Sequence, residues 1–273
     1  MTDTHRSDIA SGKRFEFGSN WKQFLNLLDE SRITEAENSL LAKCGQIDFK
    51  ISRFLDAGSG SGLFSLAARR LGATVHSFDF DTQSVNCTRQ LKQAYFQQDT
   101  LWTIDEASVL DTQYLNNLGK FDVVYSWGVL HHTGSMWAGL DNVAQRVADN
   151  GKLFIAIYND QGWISRYWTL VKRIYVGHPF ARPLLLVVHS PYLVGLRYLA
   201  RKISGRPLER GMSLWHDTVD WVGGFPFEVA RPEGILDFYR ARGFKLDKMK
   251  TCGGRHGCNE FVFSKENILK VSD

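Results

Sequence analysis

The sequence predicts an α/β protein with a mostly parallel sheet and helices on both of its faces. Three observations predict it. Short apolar strands alternate with helical stretches through the middle of the chain, the order that parallel strands joined by right-handed crossovers require. A glycine-rich turn stands directly between the first strand and the first helix of that series. At 273 residues, 44% hydrophobic and 23% charged, the chain can bury one good-sized core and carry an elaboration, or at most form two small domains.

In chain order, Trp21, Phe24, Leu25 and Leu28 recur at the spacing of one helix face, and a second helical stretch over 34–43 leads to the first strand. Residues 1–50 therefore read as an N-terminal helical preface. Residues 53–57 (RFLDA) predict a short buried strand, and 63–71 a helix that stops at Gly72. The same order recurs at 74–80 with 83–94 and at 121–126 with 136–148, and 152–158 supplies another strand, so 51–159 is the core unit. The alternation then breaks into an insertion, 160–231, rich in aromatic and basic residues. In the last part, 232–273, a helix over 232–242 precedes two strands, 244–251 and 259–264. The loop from Cys252 to Cys258 that joins them is short enough for an antiparallel pair completing the core sheet.

Bulk properties exclude several classes. The formal net charge of +4 is too small by itself to point to nucleic acid. Residues 1–14 are polar and mixed in charge, unlike a secretory signal, and no run of 18 apolar residues follows, so a cytoplasmic protein is expected. Four cysteines, Cys44, Cys87, Cys252 and Cys258, do not make a disulfide framework at this length and are expected to be reduced.

The chemistry concentrates first in Asp56-Ala57-Gly58-Ser59-Gly60-Ser61-Gly62. Glycines there permit a tight turn and close backbone approach, so the loop can hold a nucleotide-like ligand at a helix N-terminus. A plain glycine-rich turn is the simpler alternative, but the strand, three spaced glycines and helix together favour a ligand site. The dinucleotide fingerprint needs a further glycine at position 63, where Leu63 stands. Asp56, just ahead of the first glycine, would repel a pyrophosphate but suits a cationic amino-acid moiety. S-adenosylmethionine has such a moiety and no phosphate. Asp79 ends the second strand, 17 residues after Gly62, where a carboxylate is positioned to accept both ribose hydroxyls. Asp81 fits a helix N-cap, which leaves Asp79 for the ribose.

The run RFLDAGSGSGLFSLAARRLGATVHSFDFD, followed by FDVVYSWGVLHHTG and GKLFIAIYND, resembles the core of class I S-adenosylmethionine-dependent methyltransferases, with a closer likeness to bacterial ubiquinone-biosynthesis-like methylases. The resemblance covers roughly 53–159, with a weaker echo in the terminal helix and hairpin. It implies a Rossmann-like sheet of seven strands whose last strand is antiparallel. It also implies that Asp56, Gly58, Gly60 and Gly62, with Ser59 between them, line the methionine end of S-adenosyl-L-methionine. Asp79 and Phe80 would hold ribose and adenine, the backbone of Ala107, Ser108 and Val109 would lie along the adenine, and the segment from Trp127 would face the transferred methyl. The stretch 161–231 has no counterpart in that core, so the substrate does not carry over.

Ligands in an open parallel sheet sit beyond the carboxyl ends of the strands, which puts Trp127, His131, His132, Tyr158 and Asn159 first in line. Methyl transfer from a sulfonium is an in-line displacement in which a base helps when the nucleophile carries a proton. Histidine, with an ordinary pKa of about 6.5, suits a phenol of about 10 better than an alcohol. His131 and His132 are therefore candidate bases, with loop capping or packing as the plainer alternative, and His216 beside Asp217 is a third. Arg255 and His256 lie in the hairpin loop expected on the same edge. The Cys252 to Cys258 spacing fits no usual zinc pattern, so no metal is expected. A nucleobase substrate is disfavoured because Ser126-Trp127-Gly128-Val129 replaces the proline-containing tetrapeptide of such enzymes, which leaves a small-molecule acceptor, an aromatic, quinol-like or lipid-linked oxygen. A nicotinamide-dependent oxidoreductase and a catalytically silent cofactor-binding scaffold remain as alternatives.

The insertion carries the remaining signal. Between 161 and 208 stand eight basic residues, Arg166, Lys172, Arg173, Arg182, Arg197, Arg201, Lys202 and Arg206, and no Asp or Glu, a local charge of +8 against +4 for the chain. Its aromatic and aliphatic clusters, broken by Pro179, Pro183 and Pro191, suit short amphipathic helices forming a lid over the strand ends. Peripheral contact with an anionic membrane or a lipid-like acceptor is expected, against the plainer reading of a helical cap with solvated basic residues.

Overall fold

The structure, a computed structural model, describes residues 7–18, 21, 25, 28–45, 47–195, 214–253 and 257–266, without the side chains of 214–217. Its strands are β1 (Arg53–Ala57), β2 (Thr74–Asp79), β3 (Trp102–Glu106), β4 (Phe121–Trp127), β5 (Val147–Tyr158), β6 (Phe244–Lys250) and β7 (Cys258–Lys265). They form one seven-stranded sheet in the order β3-β2-β1-β4-β5-β7-β6. β1 pairs in parallel with β2 and β4, β2 with β3, and β4 with β5. β7 runs antiparallel between β5 and β6. This is the Rossmann-like, mostly parallel sheet that the sequence implies.

Strand residues alternate between two cores because successive side chains leave a strand on opposite faces. Phe54, Val123 and Phe154 point to one face, where helices α1 (Glu30–Cys44), α2 (Leu63–Arg70) and α3 (Thr82–Tyr95) cover them with Leu40, Leu66 and Leu91. Leu55, Val124 and Ile155 point to the other, under α4 (Thr112–Leu118), α5 (Met136–Gln145) and α9 (Pro232–Arg240), which contribute Leu115, Leu140 and Ile235. Burying each such side chain is worth about 1.5–3 kcal/mol, so the alternation fixes strand register strongly. The preface helix α1 is capped by Asp29, whose carboxylate accepts from Arg32 N at 2.9 Å. The helix suggested by Trp21, Phe24, Leu25 and Leu28 falls largely outside the described residues.

Two element boundaries and one helix differ from the sequence reading. β2 stops at Asp79, so Phe80 opens the following loop. β5 begins at Val147, where the sequence predicts a helix running on to 148, because buried Val147 pairs with Phe121. The polar run Asp149-Asn150-Gly151, with Asn150 at φ 62, disguises this strand start, and the β4–β5 register shifts between Phe121 and Val123. Helix α4 was not anticipated. It is seven residues long and fully buries only Leu115, too few apolar positions to show a period, and Asp111 caps it by accepting from Tyr114 N at 3.0 Å.

The insertion holds α6 (Trp163–Gly177), α7 (Arg182–Ser190) and α8 (Leu214–Gly223), with 196–213 outside the described residues. These helices build their own small core around Trp168, Val171, Tyr175, Trp221 and Phe227. Tyr158, the last residue of β5, joins it to the sheet, its ring 5.4 Å from Trp221 and 5.2 Å from Phe227. Lys172, which the sequence suggests as part of the basic surface, lies fully buried in this core. Its ammonium donates to Trp221 O and sits 4.8 Å and 4.7 Å from the centres of the Trp221 and Phe227 rings.

Candidate functional site

At the carboxyl ends of β1, β2 and β4 lies a cavity of about 650 Å³. Its floor is the turn from β1 into α2, where Gly58, Gly60 and Gly62 take φ of 86°, 54° and 82°. At Gly58 the left-handed backbone and the crowding agree: a Cβ there would stand 2.5 Å from both methyls of Val129, so the β4 loop lies directly on the turn. Gly58 N and Ser59 N donate to Phe78 O at 2.9 and 3.1 Å, and Ser59 Oγ meets Thr88 Oγ1 at 3.0 Å. The turn is thus held to β2 and α3 by its outer groups, while its inner face borders the cavity.

Two carboxylates face that space. Asp56, 2% exposed, accepts from Ser65 Oγ at 2.5 Å; Ser65 Oγ in turn accepts from Ser77 Oγ at 2.7 Å, and Ser77 from Trp102 Nε1 at 2.8 Å. Burial, assisted by the nearby Asp79 charge and opposed by the Ser65 hydrogen bond, pushes the Asp56 carboxyl up to about 7. Asp79 accepts from Gly60 N and Asp81 N, each at 2.9 Å, and burial pushes it up to about 6. Both therefore favour a cationic or hydroxyl-rich ligand that restores what burial removes, and each Asp79 oxygen keeps a further lone pair to accept a hydroxyl. Asp81 caps α3 through Gln83 N at 2.8 Å. Phe80 lines the wall, and Ala107, Ser108 and Val109 approach from the end of β3, with Ala107 N donating to Asp79 O at 3.0 Å. Trp127 closes β4, its Nε1 donating to Glu260 Oε1 at 3.4 Å.

Of the three candidate histidines, the structure brings one to the cavity. His132 lines it, 8% exposed, its Nδ1 2.6 Å from Pro226 O. A ring nitrogen facing a carbonyl must carry the proton, so Nε2 is the basic nitrogen. Burial depresses the His132 imidazole to about 3, far from the ordinary value assumed from sequence. His131 is fully buried behind the wall, accepting from Tyr158 N at 3.3 Å, and burial holds it well below its ordinary value. The His216 side chain, Arg255 and His256 lie outside the described residues.

Sequence reasoning missed the strap from Arg14 to Gly18, whose Arg14, Phe15 and Phe17 line the cavity. Gly18 N donates to Asp81 Oδ2 at 2.8 Å on one side, and Phe15 N donates to Phe225 O at 2.8 Å on the other. Arg14 donates to His132 O at 2.8 Å and to Thr133 O at 3.4 Å, and lies 5.1 Å from the Phe80 ring centre. Phe17 packs on the His132 ring at 4.6 Å. The signal present was the alternation of Arg14, Phe15, Glu16 and Phe17, a strand-like pattern with no sheet to join.

A family model described as a methyltransferase domain matches residues 28–185, more than half of the chain, and the chain belongs to that family. It is a class I S-adenosylmethionine-dependent methyltransferase, and S-adenosylmethionine is its cofactor. That decides against the nicotinamide-dependent alternative. No curated protein matches the sequence. Among solved structures, magnesium protoporphyrin IX methyltransferase from Synechocystis, with bound S-adenosylhomocysteine, is similar at 15% identity and TM-score 0.51 over 86% of this chain and 83% of that one. An N-methyltransferase from Bradyrhizobium japonicum is similar at 14% identity and TM-score 0.51 over 88% and 99%. An O-methyltransferase family protein from Burkholderia thailandensis reaches 12% identity and TM-score 0.54 over 88% of this chain, which spans 58% of that one. At these identities the likeness is one of fold.

Proposed function

We propose that this enzyme methylates an oxygen of a small acceptor, aromatic, quinol-like or lipid-linked, with His132 as the group that takes the acceptor's proton. The observation that carries the reading is a neutral imidazole on the wall of the cofactor cavity, its Nδ1 engaged by Pro226 O. S-adenosylmethionine supplies a methyl group on a positively charged sulfur. Asp56 would meet the amino group of its methionine end, with the Gly58–Gly60 backbone and Ser59 beside that end and Gly62 opening α2. Asp79 would accept the ribose hydroxyls, Phe80, Ser108 and Val109 would enclose the adenine, and Trp127 would border the reacting end.

The low basicity of His132 is compatible with this role. An acceptor oxygen that takes the methyl would carry a strongly acidic O–H, so even a weak base would receive that proton at His132 Nε2. The strap from Arg14 to Gly18 holds the loop after β4 in place, with Arg14 donating to His132 O and Phe17 packed on the His132 ring. His131 supports His132 from behind. A small acceptor is favoured over a nucleobase by the Ser126-Trp127-Gly128-Val129 run at the end of β4. A lipid-linked acceptor accords with the apolar, basic insertion and places the enzyme on the cytoplasmic face of a membrane as a peripheral protein.

The test is methyl transfer from labelled S-adenosylmethionine into lipid-extractable and water-soluble fractions of a lysate, by the wild type and by His132→Ala. Label in a small-molecule O-methyl product, lost in the variant, is the expected result. Label confined to protein or nucleic acid would overturn it.

A further inference from the structure

Eight of the fourteen exposed large hydrophobic side chains among the described residues lie between 163 and 192. Single exposed hydrophobics are ordinary, but a cluster of this kind marks an interaction surface. On α6, Trp163, Arg166, Tyr167, Leu170 and Arg173 are all exposed and fall at i, i+3, i+4, i+7 and i+10, one face of the helix. The opposite face buries Trp168, Val171, Lys172 and Tyr175. On α7 the outward residues are Leu184, Val187 and Val188, at 66%, 70% and 59% exposure, and the flanking turns add Phe180 at 99% and Tyr192 at 49%. Both helices therefore use one side to complete the insertion's core and hold the other, apolar and aromatic, to the outside.

We propose that this α6–α7 surface docks the enzyme on an anionic lipid bilayer, lying in the headgroup region. Charge selects the occupant. The stretch 161–208 contains no Asp or Glu, and Arg166 and Arg173 stand within the aromatic stripe itself. A second copy docking through the same face would set these arginines against their own counterparts, with no carboxylate in the segment to pair them. An anionic headgroup layer pairs them, while Trp163, Tyr167 and Phe180 suit the boundary between headgroups and acyl chains. No helix among the described residues is long and apolar enough to cross a membrane, so the contact is one of lying on the surface. Lys172 takes no part because the core encloses it. The proposal rests on the lipid-linked reading above only for its purpose; docking and methyl transfer are measured separately.

The experiment is co-sedimentation of the whole chain with phosphatidylcholine vesicles, with and without phosphatidylglycerol, across a salt series. S-adenosylmethionine affinity and sedimentation-velocity mass are measured on the same samples. The expected result is binding to the phosphatidylglycerol vesicles that weakens with salt and falls about tenfold or more in Leu184→Glu/Val187→Glu and in Arg166→Glu/Arg173→Glu. Both variants should keep wild-type cofactor affinity, since every changed side chain is exposed and outside the cavity. Three results would overturn it: no binding to anionic vesicles at low salt by protein that binds the cofactor; Leu184→Glu/Val187→Glu binding like the wild type; or a wild-type dimer that this variant dissolves. Vesicle binding by a protein that fails to bind the cofactor would support docking and count against the methyl-transfer reading alone.

Discussion

His132 and Pro226 are joined by a hydrogen bond of 2.6 Å from imidazole Nδ1 to carbonyl oxygen across 94 residues of sequence. This bond ties the loop after β4, which borders the cofactor cavity, to the last part of the insertion, between α8 and α9. It fixes both the ring orientation and the tautomer. His132→Ala should lower kcat by about 10²- to 10³-fold while leaving S-adenosylmethionine affinity within about twofold. Because burial already holds His132 at about 3, it is neutral throughout the physiological range and contributes no ionisation near pH 6.5 to the kcat profile. Steady-state kinetics from pH 5 to pH 9 on both proteins decide it: a wild-type acid limb near 6.5 that disappears in the variant would show that His132 titrates near its ordinary value, and a kcat unchanged in the variant would remove it as the base.

Asp56 provides the ionisation that should appear near neutrality. Its folded pKa is raised to about 7, so below that pH the carboxyl is increasingly protonated and a cationic ligand must displace the proton. Affinity for S-adenosylmethionine should therefore rise with pH through about 7 and level off above it. Calorimetry in buffers of different ionisation enthalpy should show proton release on binding at pH 6.5. In Asp56→Asn the slope near 7 and most of the proton release should be lost, leaving the smaller share that Asp79 contributes near 6, and an unchanged slope there would exclude Asp56 as its source.

Gly58→Ala tests the turn. The substituted residue would sit at φ 86 with its Cβ 2.5 Å from the Val129 methyls, so strain and crowding act together. A loss of about 2–4 kcal/mol in unfolding free energy is expected, with weaker cofactor binding. Chemical denaturation measures it, and an unchanged midpoint would show that the turn is looser than described.

Lys172 gives stability a distinctive pH dependence. Burial lowers its pKa from 10.5 to about 7, so the unfolded chain binds more protons than the folded one between those values, and stability should climb with pH across that window. Below pH 7 the folded protein must hold an enclosed ammonium. Lys172→Met removes the titration and should flatten the climb. Denaturant midpoints at pH 6.5 and pH 9 for both proteins check the sign, and parallel profiles would place the lysine charge in contact with water.

The core was legible because its information is local. The glycine turn, Asp79 at a strand end and the strand-helix alternation each follow from neighbouring residues, and β1 runs over the residues expected. What was not legible depends on distant contacts. Nothing in the sequence near Arg14 says that it meets His132, and the relay from Trp102 through Ser77 and Ser65 to Asp56 joins four separate elements. Two adjacent histidines looked equivalent; the short helical turn from Leu130 to His132 sends one to the cavity and one into the core. Lys172 reads as surface charge from its neighbours in sequence, whereas the fold closes the aromatic residues of α6 and α8 over it.

The most direct test of the cofactor site is calorimetric titration of S-adenosylmethionine into wild type, Asp79→Ala and Asp79→Asn, each shown to be folded by circular dichroism. Asp79 holds Gly60 N and Asp81 N while keeping lone pairs toward the cavity, so its loss removes both a ribose acceptor pair and the brace of the turn. Binding by the wild type, a loss of about 2–4 kcal/mol in Asp79→Ala and a smaller loss in Asp79→Asn, which retains one acceptor oxygen, are expected. Affinity equal to the wild type in folded Asp79→Ala would contradict the placing of Asp79 at the ribose.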